Sequence, residues 1–294
     1  MIKHVSKAAL TAAVAAMALS SCTVSEPELP SGDASSMQLT AITVGGATIM
    51  AVDYDNQNRI TKINYYNDFT IEISYGASTS AAPEQVVVTD YEDYWDGDDT
   101  VTHLPSEQET WTNIRTNADG YITYYDCTDV RWDQVYDPET QTYKRQTYEQ
   151  KSTESYTYDA AGHMTKNVLH DFDDFGNPQK LVTTYTWKDG LLLSYADDDT
   201  DHNERAEFHY SDVENVHGQW EPHTHLSALM ITGFFGKAPA KFLKSETYYY
   251  QGVASETTQY SYALTDNGLI KYAKLLEQGE DMAIVMNYVY KKRK

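Results

Sequence analysis

Tyr156-Thr-Tyr-Asp159-Ala-Ala-Gly162-His-Met-Thr165 ends one strand-like run, turns, and starts another. Asp opens the turn because its short carboxylate can bond nearby backbone N–H groups, and Gly supplies the left-handed residue that closes it. An earlier copy reads Val52-Asp-Tyr-Asp55-Asn-Gln-Asn58-Arg-Ile-Thr61. Degenerate copies follow at Thr116-Asn-Ala-Asp-Gly120, Tyr185-Thr-Trp-Lys-Asp-Gly190 and Asp266-Asn-Gly268. Recurrence of this phrase along the chain writes antiparallel hairpins one after another.

Between the turns the period is two. In Thr70-Ile-Glu-Ile-Ser-Tyr75, Ile71, Ile73 and Tyr75 share one face and Glu72 and Ser74 take the other; Tyr185 and Trp187 alternate with Thr184 and Thr186 in the same way. Gly45-Gly46 and Asn67-Asp68 predict the first two hairpins, within Leu39–Tyr54 and Arg59–Tyr75. Asp90 to Gln108, acidic and holding Pro105, reads as a long hairpin tip, with strands resuming at Thr110. Residues 211–240 break the rhythm. Thr224 is placed to cap a short helix over 224–233, whose stripe is Leu226, Leu229, Met230 and Phe234, and Gly233 ends it. So apolar an insert is expected to pack on the sheet as a plug. The fold class is therefore all-β: an antiparallel up-and-down meander with one short apolar helical insert, either a curved sheet or barrel-like.

The ends of the chain address location. Lys3 and Lys7 precede the apolar run Ala8–Leu19, and Leu19-Ser-Ser-Cys22 resembles a bacterial lipobox, so residues 1–22 read as a lipoprotein signal with Cys22 the lipidated residue. Residues 23–38, rich in Pro, Ser and Glu, read as a disordered tether, and 39–294 as a single β domain. The acidic patch behind Cys22 loosely resembles the surface-export signal of Bacteroidetes lipoproteins. The expected location is the outer membrane, lipid-anchored, at the cell surface, with a periplasmic orientation as the alternative. Four basic residues at Lys291–Lys294, where a transmembrane barrel usually ends on an aromatic, argue against insertion as a barrel.

The formal net charge of −22 excludes nucleic acid as a partner. Twenty-five of the 294 residues are Tyr, which suits a pleated, half-buried surface. With Cys22 lipidated, Cys127 stands alone, so no intramolecular disulfide forms.

Chemistry-bearing patterns are sparse. His217, His223 and His225 form a candidate metal cluster, which Glu221 could complete. Asp197, Asp199 and Asp201 place oxygens at every second residue, as a calcium loop begins, but Phe208 stands where the twelfth-position Glu would be. Trp95, Trp111, Trp187 and Trp220 are candidates for stacking on a ligand. The nucleophile elbow, the phosphate loop and the dinucleotide fingerprint are all missing from the sequence. The expectation is a protein without catalytic residues or cofactor that binds a glycan, peptide or partner protein. A carrier of an apolar ligand in a curved half-barrel is the alternative, and a hydrolase built on paired carboxylates comes third.

The Tyr-x-Tyr-Asp…Gly hairpins, Tyr185-Thr-Trp-Lys-Asp-Gly190-Leu, Ile231-Thr-Gly-Phe-Phe-Gly-Lys237 and the closing Asp266-Asn-Gly-Leu-Ile270 unit occur in this order in one group. Over Leu39–Tyr290 the chain resembles the Bacteroidetes secreted-lipoprotein family known as domain of unknown function 4595. That resemblance implies a porin-like fold and an envelope location. It implies no activity and no functional residues.

Overall fold

The computed structural model describes residues 33–66, 68–76, 82–95, 101–137, 139, 142–172, 177–199, 203–221 and 228–293. Sixteen strands run through them: β1 Met37–Val44, β2 Ala47–Tyr54, β3 Ile60–Tyr65, β4 Phe69–Ser74, β5 Gln85–Trp95, β6 Val101–Thr116, β7 Ile122–Asp137 and β8 Thr142–Tyr158. They continue as β9 Met164–Phe172, β10 Pro178–Lys188, β11 Leu191–Asp197, β12 Arg205–Glu214, β13 Lys241–Tyr250, β14 Val253–Leu264, β15 Ile270–Glu277 and β16 Ile284–Lys292. Each strand bonds its sequence neighbours, and β1 pairs antiparallel with β16, so the meander is a closed barrel. Closure removes the two sheet edges that an open meander would expose.

The recurring turn phrase has one physical construction. Asp55 Oδ1 accepts from the N–H groups of Gln57 and Arg59 at 2.8 and 3.0 Å. Asp159 Oδ1 accepts from Ala161 and His163, both at 2.9 Å, and Asn117 Oδ1 from Asp119 and Tyr121, both at 3.0 Å. In each case the third residue on has positive φ: Asn58 +64°, Gly162 +90°, Gly120 +86°. Two-residue turns join other strands: Asp189 and Gly190 have φ of +52° and +75°, as a type I′ turn requires.

The chain divides into two compact units. The first comprises the described residues up to Ala51, Tyr156–Val168 and Leu181–Lys294. Its buried face carries Ile42, Phe208, Phe242, Ala273, Met286 and Tyr288. The opposite face shows Lys244, Gln259, Ser261 and Lys274, all exposed. Charged and amide side chains at mid-strand would each be costly against lipid, so these strands present a face suited to water.

The apolar insert belongs to this unit. Its described part is a 3-10 helix, Ala228–Thr232, rather than a full α-helical segment; the expected cap Thr224 and Leu226 lie outside the described residues. Leu229, Met230, Phe234 and Phe235 are buried, and Phe235 meets Tyr156 edge-on with ring centroids 5.1 Å apart. Gly236, φ +93°, brings the chain so close that an added Cβ would lie 2.7 Å from the Gly162 carbonyl oxygen.

The last residues of the expected tether are ordered. Asp33 caps a 3-10 turn at Ala34–Ser36, Ala34 and Met37 are buried, and β1 begins two residues before Leu39. The cause is local: Asp33 accepts from the Ser35 N–H and hydroxyl, at 3.2 and 2.8 Å.

The second unit is Val52–Ser155 with Leu169–Lys180. Ile63, Ile71, Ile73, Val86, Trp111 and Ile122 form its buried face. Here the expected hairpin tip from Asp90 to Gln108 is mostly strand. β5 runs on to Trp95 and β6 starts at Val101, with a register shift after Asp90 that accommodates Pro105, which lacks a ladder N–H.

Candidate functional site

In the second unit the strands outrun their neighbours. β6 and β7 pair only as far as Glu107 opposite Arg131. Beyond it β5–β6 continues to Trp95 opposite Val101, and β7–β8 to Asp137 opposite Thr142. The result is two hairpin arms that part company at the end of the unit.

Tyr94, Trp132 and Arg145 clasp the arms. The Tyr94 hydroxyl donates to the Trp132 carbonyl at 3.0 Å, and the Arg145 guanidinium donates to the Pro105 carbonyl. The Arg145 guanidinium carbon lies 4.9 Å from the Trp132 ring centroid and 5.4 Å from that of Tyr94. Burial, the largest influence, raises the Tyr94 hydroxyl above its ordinary range, and the Arg145 charge opposes it.

One face of the β7–β8 arm is a platform. Gln134 stands opposite Arg145 and Tyr136 opposite Tyr143, so Trp132, Gln134 and Tyr136 share a face with Tyr143 and Arg145. Tyr136 and Tyr143 meet edge-on at 5.4 Å, yet remain 50% and 58% exposed. With Val135 and Tyr148 on the other face, this short arm carries four exposed apolar or aromatic side chains.

Three of the four tryptophans singled out from sequence, Trp111, Trp187 and Trp220, are not part of this platform. Trp111 is 2% exposed and lies flat on Tyr125, centroids 4.2 Å apart, so its faces are used within the core. Trp187 stacks on His163 at 4.3 Å and donates to the Met164 carbonyl at 2.7 Å. Trp220 is half-buried, its indole N–H 3.3 Å from the Gly236 carbonyl. Trp95 ends β5, and its side chain lies outside the described residues. Trp132, Tyr136, Tyr143 and Arg145 were missed as site residues. Their signal was the pair of aromatics four residues apart in Trp132-Asp-Gln-Val-Tyr136, which fall on one strand face, with Tyr143 following across a Pro-containing turn.

Of the His and Asp metal candidates only His217, Asp197 and Asp199 lie among the described residues, and these three are not grouped to hold a metal ion. His217 Nε2 lies 2.7 Å from the Asn267 carbonyl; Cys22, Asp201, His223 and His225 lie outside the described residues. Asp197 Oδ1 accepts from the Glu204 N–H at 3.1 Å, and burial pushes its carboxyl up to about 6. The Asp199 carbonyl accepts from the Asn203 N–H at 2.8 Å. Among the described residues, no three His, Cys, Asp or Glu side chains are grouped to hold a metal ion.

Among the described residues three carboxylates are buried. Glu154 accepts from the Tyr125 hydroxyl in the second unit, and Glu246 from Tyr260 in the first. Glu221, also in the first, accepts from the Leu243 N–H at 3.4 Å, and burial pushes it up to about 8. Glu246 has no exposed surface, so it offers no face to a substrate.

No protein-family model and no curated protein matches the sequence. Solved structures do. A porin-like protein from Bacteroides uniformis ATCC 8492 is 12% identical, aligning over 82% of this chain and 90% of its own with a TM-score of 0.41. Another, from Bacteroides vulgatus ATCC 8482, is 10% identical over 86% of this chain and 98% of its own, also with a TM-score of 0.41.

Proposed function

We propose that this chain is a non-catalytic envelope lipoprotein that binds an extended neutral glycan on the aromatic face of the β7–β8 arm. The carrying observation is the platform itself: Trp132, Tyr136 and Tyr143 on one face, two of them at least half exposed, with Arg145 held in place beside them. Exposed aromatic faces suit the apolar faces of sugar rings, and Arg145 offers a charged donor whose position is already fixed. The charge of −22 disfavours a polyanionic ligand.

Lipidation at Cys22 and exposure at the outer membrane remain part of the proposal, as does membership of the domain-of-unknown-function 4595 family. They rest on the lipobox and the ordered phrases of the sequence. The polar exposed face of Lys244, Gln259 and Lys274 supports a barrel held outside the bilayer by its anchor rather than one spanning it.

Affinity electrophoresis through gels containing a soluble β-glucan, an α-glucan or a mannan tests the binding. One of them should retard the protein, and Trp132→Ala or Tyr143→Ala should abolish the retardation while the fold survives. Unretarded migration in all three gels would refute the glycan assignment.

A further inference from the structure

Among the described residues, the outer half of β8 has strand on one side only. β9 has nine residues and turns out of β8 at Asp159–His163, where the Asp159 N–H bonds the His163 carbonyl at 2.9 Å. Its end is marked by the Gln150 side-chain amide, which donates to the Phe172 carbonyl at 2.8 Å and to Asp171 at 2.5 Å. β8 has seventeen residues, so the stretch from Thr142 to Glu149 extends past β9 while still pairing with β7 on its other side. Among the described residues no strand lies along this outer edge, and residues 143–149 are all exposed. Other stretches among the described residues also lack a strand on one side, β5 beyond Asp90, β6 before Glu107 and β7 beyond Arg131, but the outer edge of β8 is set apart by its charge order.

We propose that this edge pairs with the same edge of a second copy of the chain, antiparallel, about a two-fold axis through Thr147. The symmetry fixes the options. An isologous antiparallel pair has its axis perpendicular to the sheet, so each residue faces one on the same side of its own strand. Centring on Thr147 puts Arg145 opposite Glu149 of the second copy, twice, with Thr147 opposite itself; both kinds of pair stabilise a ladder. Centring on Gln146 puts Arg145 opposite Thr147 and forms no ion pair. Charged residues on a free edge discourage indiscriminate pairing, and here their order, positive at 145 and negative at 149, selects one partner and one register.

The overlap runs from Arg145 to Glu149, because at Gln150 the edge is taken by β9. So short a ladder falls below the area of a stable interface, about 800 Å² per partner, and the dimer is therefore weak and concentration-dependent. Its consequence for binding rests on the glycan reading above, whereas the pairing does not. The perpendicular axis keeps both platforms on the same side of the joined arms, so one polymer chain can engage both.

The full-length protein carrying Thr147→Cys tests the register, with the parent, which already has Cys22 and a buried Cys127, as background. On the axis, opposed Cα atoms fall within disulfide reach, so Thr147→Cys should cross-link to a dimer on mild oxidation. Lys144→Cys, off the axis, should stay at the parent's level. Sedimentation equilibrium should show the wild type dimerising as concentration rises and Glu149→Arg remaining a monomer. Equal cross-linking at 144 and 147 overturns the register. A wild type that stays monomeric throughout, or a dimer that tolerates Glu149→Arg, overturns the edge pairing. Retardation in glycan gels is a separate readout: a monomer that is still retarded would end the dimer and leave the platform standing.

Discussion

Arg145 on β8 rests over Trp132 on β7, its guanidinium carbon 4.9 Å from the ring centroid, while the same guanidinium reaches the Pro105 carbonyl on the other hairpin arm. One side chain thus ties the two arms together and covers one face of the half-buried indole. An isolated stack of this kind contributes about 0.5–1 kcal/mol at a partly exposed site. Its chief effect is therefore to order the platform rather than to stabilise the fold.

Separating those effects is straightforward. Arg145→Ala should lower overall stability by about 1 kcal/mol or less but raise amide exchange across the β5–β6 and β7–β8 tips. Slow exchange unchanged at both tips would show that the arms are held by something else.

The buried Glu221 gives stability a pH dependence of defined sign. Its carboxyl is pushed up to about 8 from 4.5, so between those values the folded state binds a proton that the unfolded state has lost. Stability should therefore fall as pH rises from about 4.5 to about 8 and level off above, with a drop of up to roughly 5 kcal/mol. Glu221→Gln, neutral throughout, should make the profile shallower and be more stable than the parent at pH 8, the remaining slope coming from Asp197. Denaturant titrations across that range check it; a parent profile rising with pH would contradict the burial of this acid.

The hairpin turns were legible in sequence because their chemistry is local. Asp159 and Gly162 announce a turn whatever the rest of the chain does, and Gly162 and Gly190 do hold positive φ. The platform was illegible because it depends on where non-local pairing stops. Trp111 and Trp132 occupy similar alternating strands, yet one lies inside the last β6–β7 pair and the other beyond it. Nothing within a few residues of either distinguishes core from platform. Closure was likewise left open, since the pairing of β1 with β16 joins segments at opposite ends of the sequence.

Gly236→Ala should destabilise by roughly 1–3 kcal/mol, since alanine must adopt a positive φ and meet the Gly162 carbonyl oxygen 2.7 Å from its Cβ. Thermal unfolding measures this. An alanine variant as stable as the parent would mean that the approach of these two turns is not enforced.

Leu229 is 5% exposed in the insert, so Leu229→Ala should cost about 2–5 kcal/mol, as for other buried leucines, and leave glycan retardation unchanged. A co-purifying lipid, detected by native mass spectrometry and lost in this variant, would instead make the insert a lid and favour a carrier.

Hydrogen–deuterium exchange, with and without the polysaccharide that retards the protein, tests the platform most directly. New protection should be confined to residues 130–137 and 142–149, and Trp132→Ala should remove it. Protection centred on the insert or around Glu221, with the β7–β8 arm exchanging as freely as before, would contradict a binding surface on that arm.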